Sequence, residues 1–426
     1  MRKIVNLLII ISVIMIAFSI LQTKNFNGIN LGQTEGSSSK FSRDKKETYN
    51  GEDSYKIESE NYSDAMYFKT IETQKNSVYK VSCMVKTENI ESETGDFGGF
   101  NICLKGKTNK SPSISGTNEW TKINFYFNSY NNTSVDVGFR LGENTGDCKG
   151  TVWIADLKIE KGINKKSNNW NFAVFIINKT KIKIKNQILE EQMSSSQKNS
   201  IIRCVKNFKS TCESFSNNRM DIEYEIFDLD NTITSLTMDK NAGYCLAPKD
   251  VYNIINKYVY EKDKKFDHIF VVANIGDSIS NDQIEWLGLG GTVYDNIGYS
   301  NIRISGDTIK SYHMGSSNSF PEEVFLHEFL HTLEHNMKDL GYENTIALHD
   351  YDKYNYKNKS REGLKQWYYD YMNCNISSDK VSLTDEVYNT QPVTEENFRN
   401  SYEIENAFYN DRSIIETISE KISKIF

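Results

Sequence analysis

The chain of 426 residues is long enough for two or three domains, each with an ample core. Its net charge of -7, without a long basic run, argues against nucleic acid as a partner. Seven cysteines without C-x-x-C spacing exclude a zinc ribbon and a dense disulfide scaffold, leaving room for a bridge or two within Cys83, Cys103 and Cys148 or between Cys204 and Cys212.

Met1 to Leu21 begins with Arg2 and Lys3 and continues as an apolar run from Ile4, the pattern of an export signal. The run is longer than a usual signal-peptide core and lacks a small-x-small cleavage site. It therefore reads as a signal peptide or as a membrane anchor through residues 4–21, with the rest of the chain secreted or on the cell surface. Residues 22–50, with QTEGSSSK and SRDKKETYNG, are expected to form a flexible linker.

Residues 51–162 carry short alternating segments such as VYKVSCMVKT, TKINFYFN and VDVGFRL between Asn, Gly and Ser turns. Period-2 patterning at this spacing predicts an all-β sandwich. NEWTKINFYF and the closing RLGENTGDCKGTVWIADLKIE resemble the jelly-roll carbohydrate-binding modules of secreted bacterial enzymes. That resemblance implies glycans as partners and a structural calcium ion with Asp156 among its ligands, unless Asp156 is a plain surface aspartate. Trp120, Tyr126, Tyr130 and Trp153 are the aromatic candidates for stacking on sugar rings, or else core groups.

After a short polar linker, residues 170–426 mix strands and helices. WNFAVFIINKTKIKIK reads as a strand pair, Gln187 to Phe215 as helical, MDIEYEIFDL as a strand, Lys249 to Glu261 as a helix and FDHIFVVANI as a buried strand. Gly291 to Ile304 is the candidate edge strand for an extended peptide, or a plain structural hairpin. Gly288, Gly290 and Gly291 fit no nucleotide-binding fingerprint.

Pro321 to Leu340 is expected as one helix, with a Ser319–Glu322 capping box and Gly341 as its stop. On it His327, Glu328 and His331 form H-E-x-x-H beside an apolar arc of Phe325, Leu326, Phe329, Leu330, Leu333, Met337 and Leu340. One helical turn separates the two histidines, so their rings can share one tetrahedral zinc, with Glu328 as the base for an attacking water. His349 in ALHDYDKY is the first choice for a third ligand, Asp350 the second and Asp352 the third. His335 falls further round the helix, towards the Glu328 side, either behind the ligands or in solvent. Glu334, one turn from His331, is either an orienting carboxylate for that ring or an exposed helix residue.

HEFLH resembles the zincin metallopeptidases, nearer their metzincin branch. The chain departs from the metzincin pattern at Glu334 and Met337, and Tyr351 stands where the thermolysin-like pattern has glutamate. Met372 resembles the methionine turn beneath the metal in metzincins, and Tyr371 is a candidate oxyanion donor or a packing group. Beyond Asn375 helices are expected at Glu395–Asn410 and Ser413–Ile425. Together these readings give an N-terminal all-β jelly-roll sandwich followed by an α+β zincin-like catalytic domain. The function expected is an exported Zn2+ metalloendopeptidase acting on extracellular polypeptide or glycoprotein. The alternative is a cell-surface glycan-binding protein with a non-catalytic HExxH helix.

Overall fold

Alternating side chains build the first half and nearly unbroken apolar runs the second, and each pattern makes its own kind of sheet. A computed structural model describes residues 31–34, 38–93, 98–143, 146–164, 168–184, 187–239, 243–259, 265–275, 288–294, 296–304, 320–356 and 361–403. The leader at 1–21, residues 22–30 of the expected linker, Ser319 and the helix expected at Ser413–Ile425 lie outside the described residues. No helix among the described residues is long and apolar enough to cross a membrane. The chain divides into two compact units, one of residues 1–129, 133–163 and 400–426, the other of 130–132 and 164–399.

The first unit holds β1 (Gly32–Gln33), β2 (Lys40–Tyr49), β3 (Glu52–Ser63), β4 (Ala65–Glu72), β5 (Val78–Ser92), β6 (Phe100–Leu104), β7 (Gly116–Asn128), β8 (Ser134–Leu141) and β9 (Cys148–Asn164). They form two sheets, ordered β1-β4-β8-β6 and β2-β3-β9-β5-β7, with antiparallel pairing throughout. In β7 Ile123, Phe125 and Phe127 are buried while Lys122, Asn124 and Tyr126 are not, the period-2 signature of a half-buried strand. The inward residues meet in one core with Ile57, Val81, Phe139 and Ile154 among its members.

Part of the stretch expected as a flexible linker is strand. β2 pairs antiparallel with β3 from Lys40↔Glu58 to Tyr49↔Glu52. As an edge strand it leaves half of its side chains exposed and buries none fully, and Phe41 alone reaches the core, so its composition reads as a linker. All seven cysteines are free thiols, six buried and Cys374 exposed.

The second unit contains β10 (Asn169–Ile184), β11 (Gln187–Gln192), α1 (Ser195–Phe215), β12 (Asp221–Ile233), the hairpin β13 (Thr237–Asp239) and β14 (Gly243–Cys245), α2 (Pro248–Val259), β15 (His268–Asn274), β16 (Gly288–Tyr294), β17 (Ile297–Ile304), α3 (Glu323–Asp339) and α4 (Arg361–Met372). Strands β12, β10, β15 and β17 run parallel side by side, and β16 closes the sheet as an antiparallel edge. β11 folds back on the far end of β10. Helices and strands mix as expected, but parallel pairing dominates, which is why β15 is buried at every position. The edge strand is β16, whereas the candidate range centred on β17 is largely interior. A strand β18 (Phe398–Glu403), paired with β9, stands where a helix from Glu395 was expected.

Phe172, Val174, Ile176, Phe270, Val272, Ile302 and Ile304 turn one sheet face towards α1, α3 and α4. Phe175 and Phe227 turn the other face to Tyr258 on α2. His268 joins sheet to helix within the first layer: its Nε2 lies 3.0 Å from Ser300 Oγ, which donates to the Glu328 carbonyl at 3.3 Å, and Thr332 Oγ1 is 3.5 Å from its Nδ1. Burial among Phe172, Phe270 and Phe329 drives its pKa down to about 3. Below pH of about 6.5 the unfolded chain therefore takes a proton that the folded chain refuses, and stability falls as pH drops towards 3. The expected slope from this residue approaches about 1.4 kcal/mol per pH unit in that window. Urea unfolding of the native chain and His268→Gln at pH 7, 6, 5 and 4 checks this, and equal slopes would contradict it.

Candidate metal centre

Helix α3 is buried on nearly every side, between β16 and β17 on one flank and α1 and α4 on the other. It starts at Glu323, two residues later than the sequence suggested, and no side-chain cap closes it. Glu322 instead accepts from Thr211 Oγ1 of α1 at 3.1 Å. The far end matches the expectation: Gly341 has φ +91°, with Tyr342 N–H on Met337 O and Gly341 N–H on Lys338 O, each at 3.0 Å, a Schellman stop. Full burial explains why polar His327 and Glu328, each 1 % exposed, sit among Phe325, Leu326, Phe329 and Leu330.

Three imidazoles converge. His327 Nε2 is 3.2 Å and His331 Nε2 is 3.1 Å from His349 Nε2, and the three donor atoms lie within 4.8 Å of one another. Two nitrogens bound at about 2.05 Å to one tetrahedral ion stand about 3.3 Å apart, so these separations already suit a shared cation. Tautomers point the same way. Glu334 Oε2 lies 3.0 Å from His331 Nδ1, and a carboxylate only accepts, so that nitrogen carries the proton and Nε2 presents a lone pair. Tyr368 Oη lies 3.1 Å from His327 Nδ1 and donates to Glu323 Oε1 at 2.7 Å, which leaves His327 Nε2 in the same state. Both lone pairs face His349 Nε2, whose single proton could serve only one. A cation at their common focus satisfies all three.

The third imidazole rides on a loop tied to the helix it faces. Glu334 Oε1 accepts the Leu348 N–H at 3.1 Å, so one carboxylate orients His331 and holds the residue before His349. Trp367 Nε1 donates to Leu348 O at 3.1 Å and Tyr371 Oη to Ile346 O at 3.0 Å, pinning the same loop from α4. The Tyr371 hydroxyl is thus spent on a buried carbonyl, and the residue anchors the loop.

Glu328 turns towards the edge strand. Gly290 N–H donates to its carboxylate, while Oε1 is buried without a hydrogen-bond partner among the described residues. Burial first, and then the negative Glu323, push its pKa well above the ordinary carboxylate value. β16 comes this close because it is glycine-rich: a Cβ on Gly288 would stand 2.6 Å from Glu328 Cγ and Oε1, and one on Gly290 would strike the Glu328 carbonyl.

The remaining candidates lie apart from this focus. Asp350 pairs with Lys353 at 2.6 Å, Asp352 is exposed in the short 3-10 turn after His349, and His335 Nε2 is 3.7 Å from Asp339. Met372 is buried at the end of α4, its carbonyl accepting from Arg219. In the sandwich Asp156 pairs with Lys158 at 3.1 Å, and the imidazole trio is the one group of three or more ligating residues found among the described residues. The Tyr368–Glu323 hydrogen bond behind His327 spans 45 positions of chain and so leaves no local signal in the sequence.

No protein-family model matches the chain, and no curated protein matches it. Solved structures similar to it cover about a third of its length. One is "Family 16 Carbohydrate Binding Module-2", 16% identical, covering 31% of this chain and 92% of its own, with a TM-score of 0.22. The CBM22-1 xylan-binding domain from Paenibacillus barcinonensis is 16% identical over 32% of this chain and 90% of its own, at 0.21. A cleaved adhesin domain of Lys-gingipain from Porphyromonas gingivalis is 11% identical over 32% and 94%, at 0.22. Likeness at this level carries nothing about ligand or activity.

Close approach of β16 to α3 sets a stability test. Gly290→Ala is expected to lose about 3 kcal/mol in chemical unfolding, because neither the strand nor the helix carbonyl can yield. Native-like stability of that variant would mean that the strand does not lie against Glu328.

Proposed function

We propose that the second unit is a metal-dependent hydrolase of polypeptide or glycoprotein substrates outside the cell, with zinc as the ion that best suits its donors. The observation that carries the reading is the convergence of three imidazole Nε2 atoms, with the residue after His327 a buried glutamate whose Oε1 is unsatisfied among the described residues. Three nitrogen donors with a fourth position left for water or substrate is the donor set of catalytic zinc. When bound, zinc would supply Lewis-acid polarisation and make a water acidic near neutral pH.

The chain's own residues supply the rest. His327, His331 and His349 would hold the ion with neutral rings, fixed in tautomer from the Nδ1 side in the two helical cases. Glu328 would take a proton at Oε1 from the attacking water and pass it to the departing amine. The Gly290 N–H keeps its carboxylate aimed, and the exposed His349 leaves the focus open to water and substrate. A polypeptide substrate is supported by β16, an edge strand lying directly over Glu328 that could pair with an extended backbone.

The purified chain is expected to carry about one zinc, and His327→Ala to lose it. Glu328→Gln should keep the metal and lose casein or proteome cleavage by about 100-fold or more. A metal-free native chain, or a Glu328→Gln variant with undiminished cleavage, would overturn the reading.

A second reading concerns the sandwich and makes the chain a glycan-binding protein. On this chain itself, support comes from the half-exposed Trp120, its ring 5.4 Å from that of Tyr49, a pair able to stack on a pyranose. Two other aromatic candidates are committed elsewhere: Trp153 is 6% exposed and donates to Asp44, and Tyr130 belongs to the second unit with its hydroxyl on Thr390 O. The full chain on a glycan array should bind, and Trp120→Ala should weaken that binding at least 10-fold. A blank array removes this reading and leaves the hydrolase untouched.

A further inference from the structure

Glu323 has no exposed surface, yet it is an ionisable side chain at the first turn of a helix buried on nearly every side. A carboxylate is retained in such a place at a cost unless something nearby gains from it. Its partner is the Tyr368 hydroxyl, equally buried, which donates to Glu323 Oε1 at 2.7 Å. A phenol has one proton to give, so towards His327 Nδ1, 3.1 Å away, the Tyr368 oxygen can only accept. Direction is thus fixed along the chain from His327 Nδ1–H to Tyr368 and from Tyr368 O–H to Glu323. Glu334 does the same for His331 without an intermediary.

Resting on the metal-centre reading above, we propose that Glu323 and Tyr368 are positioning residues that act as one relay on His327, holding its proton on Nδ1 and strengthening Nε2 as a metal donor. The negative charge lies behind the imidazole, away from the metal focus, so it raises the donor's basicity without occupying a coordination position. The hydroxyl between them lets a residue four positions before His327 on the same helix act on a ring that turns towards α4. Because each member works through the next, loss of one should remove the effect of the other.

The test is metal affinity by chelator competition, with zinc and with cobalt, on the full-length native chain and on Tyr368→Phe, Glu323→Gln and the double variant. Tyr368→Phe keeps the ring and breaks the relay; Glu323→Gln keeps a hydrogen-bond acceptor and removes the charge. Each single variant is expected to bind about 10- to 100-fold more weakly, with an altered visible spectrum of the cobalt form, and the double variant no more weakly than the worse single one. Thermal unfolding of the metal-free forms accompanies this, and a merely structural role would lower stability without moving affinity or spectrum. Full affinity in both single variants, or losses that add in the double variant, would overturn the relay. Failure of the native chain to bind either metal would instead sink the metal centre itself.

Discussion

The structure depends on burying the N-terminal half of α3 among its neighbours. A helix so placed can carry polar residues only if each polar atom finds a partner, because an unpaired buried group costs on the order of 1–3 kcal/mol. His327 leans on Tyr368, His331 on Glu334, and the Glu328 carboxylate on the Gly290 N–H. What is left over after this accounting is Glu328 Oε1, close in sequence to the point where the three Nε2 atoms face one another. Proteins leave such an atom unpaired chiefly where something else is meant to meet it.

The sheet explains how the ligands reach that spot. Four parallel strands present a flat apolar face on which α3 lies, and His268 and Ser300 link the sheet to the helix at Glu328 itself. The glycines of β16 let the edge strand touch the helix where a side chain would hold it off. Helix α4 then fixes the loop that returns His349, through Trp367 and Tyr371. The site is therefore assembled from helix, edge strand and loop, each held by contacts that a neighbouring layer supplies.

Much of the site was legible because its spacing is local. His327, Glu328 and His331 lie within one turn of helix, so sequence alone could place two rings together and put a carboxylate between them. His349 could be named because few donors follow the helix, although nothing in the sequence located the loop that carries it. Glu323 and Tyr368 were illegible for the opposite reason, since a hydrogen bond between residues far apart in the chain leaves no periodic trace. β2 was hidden by its position: an edge strand with both faces wet has the composition of a linker. Gly288 and Gly290 were noted only as failing a nucleotide fingerprint, when their role was steric, a helix backbone approaching where no Cβ could fit.

The most direct measurement of the central claim is X-ray absorption at the zinc edge on the metal-loaded chain. Three imidazole nitrogens at about 2.0–2.1 Å, with one further light-atom donor, would agree with the shared focus of His327, His331 and His349. A sulfur shell, or an imidazole count unchanged between the native chain and His349→Ala, would contradict it.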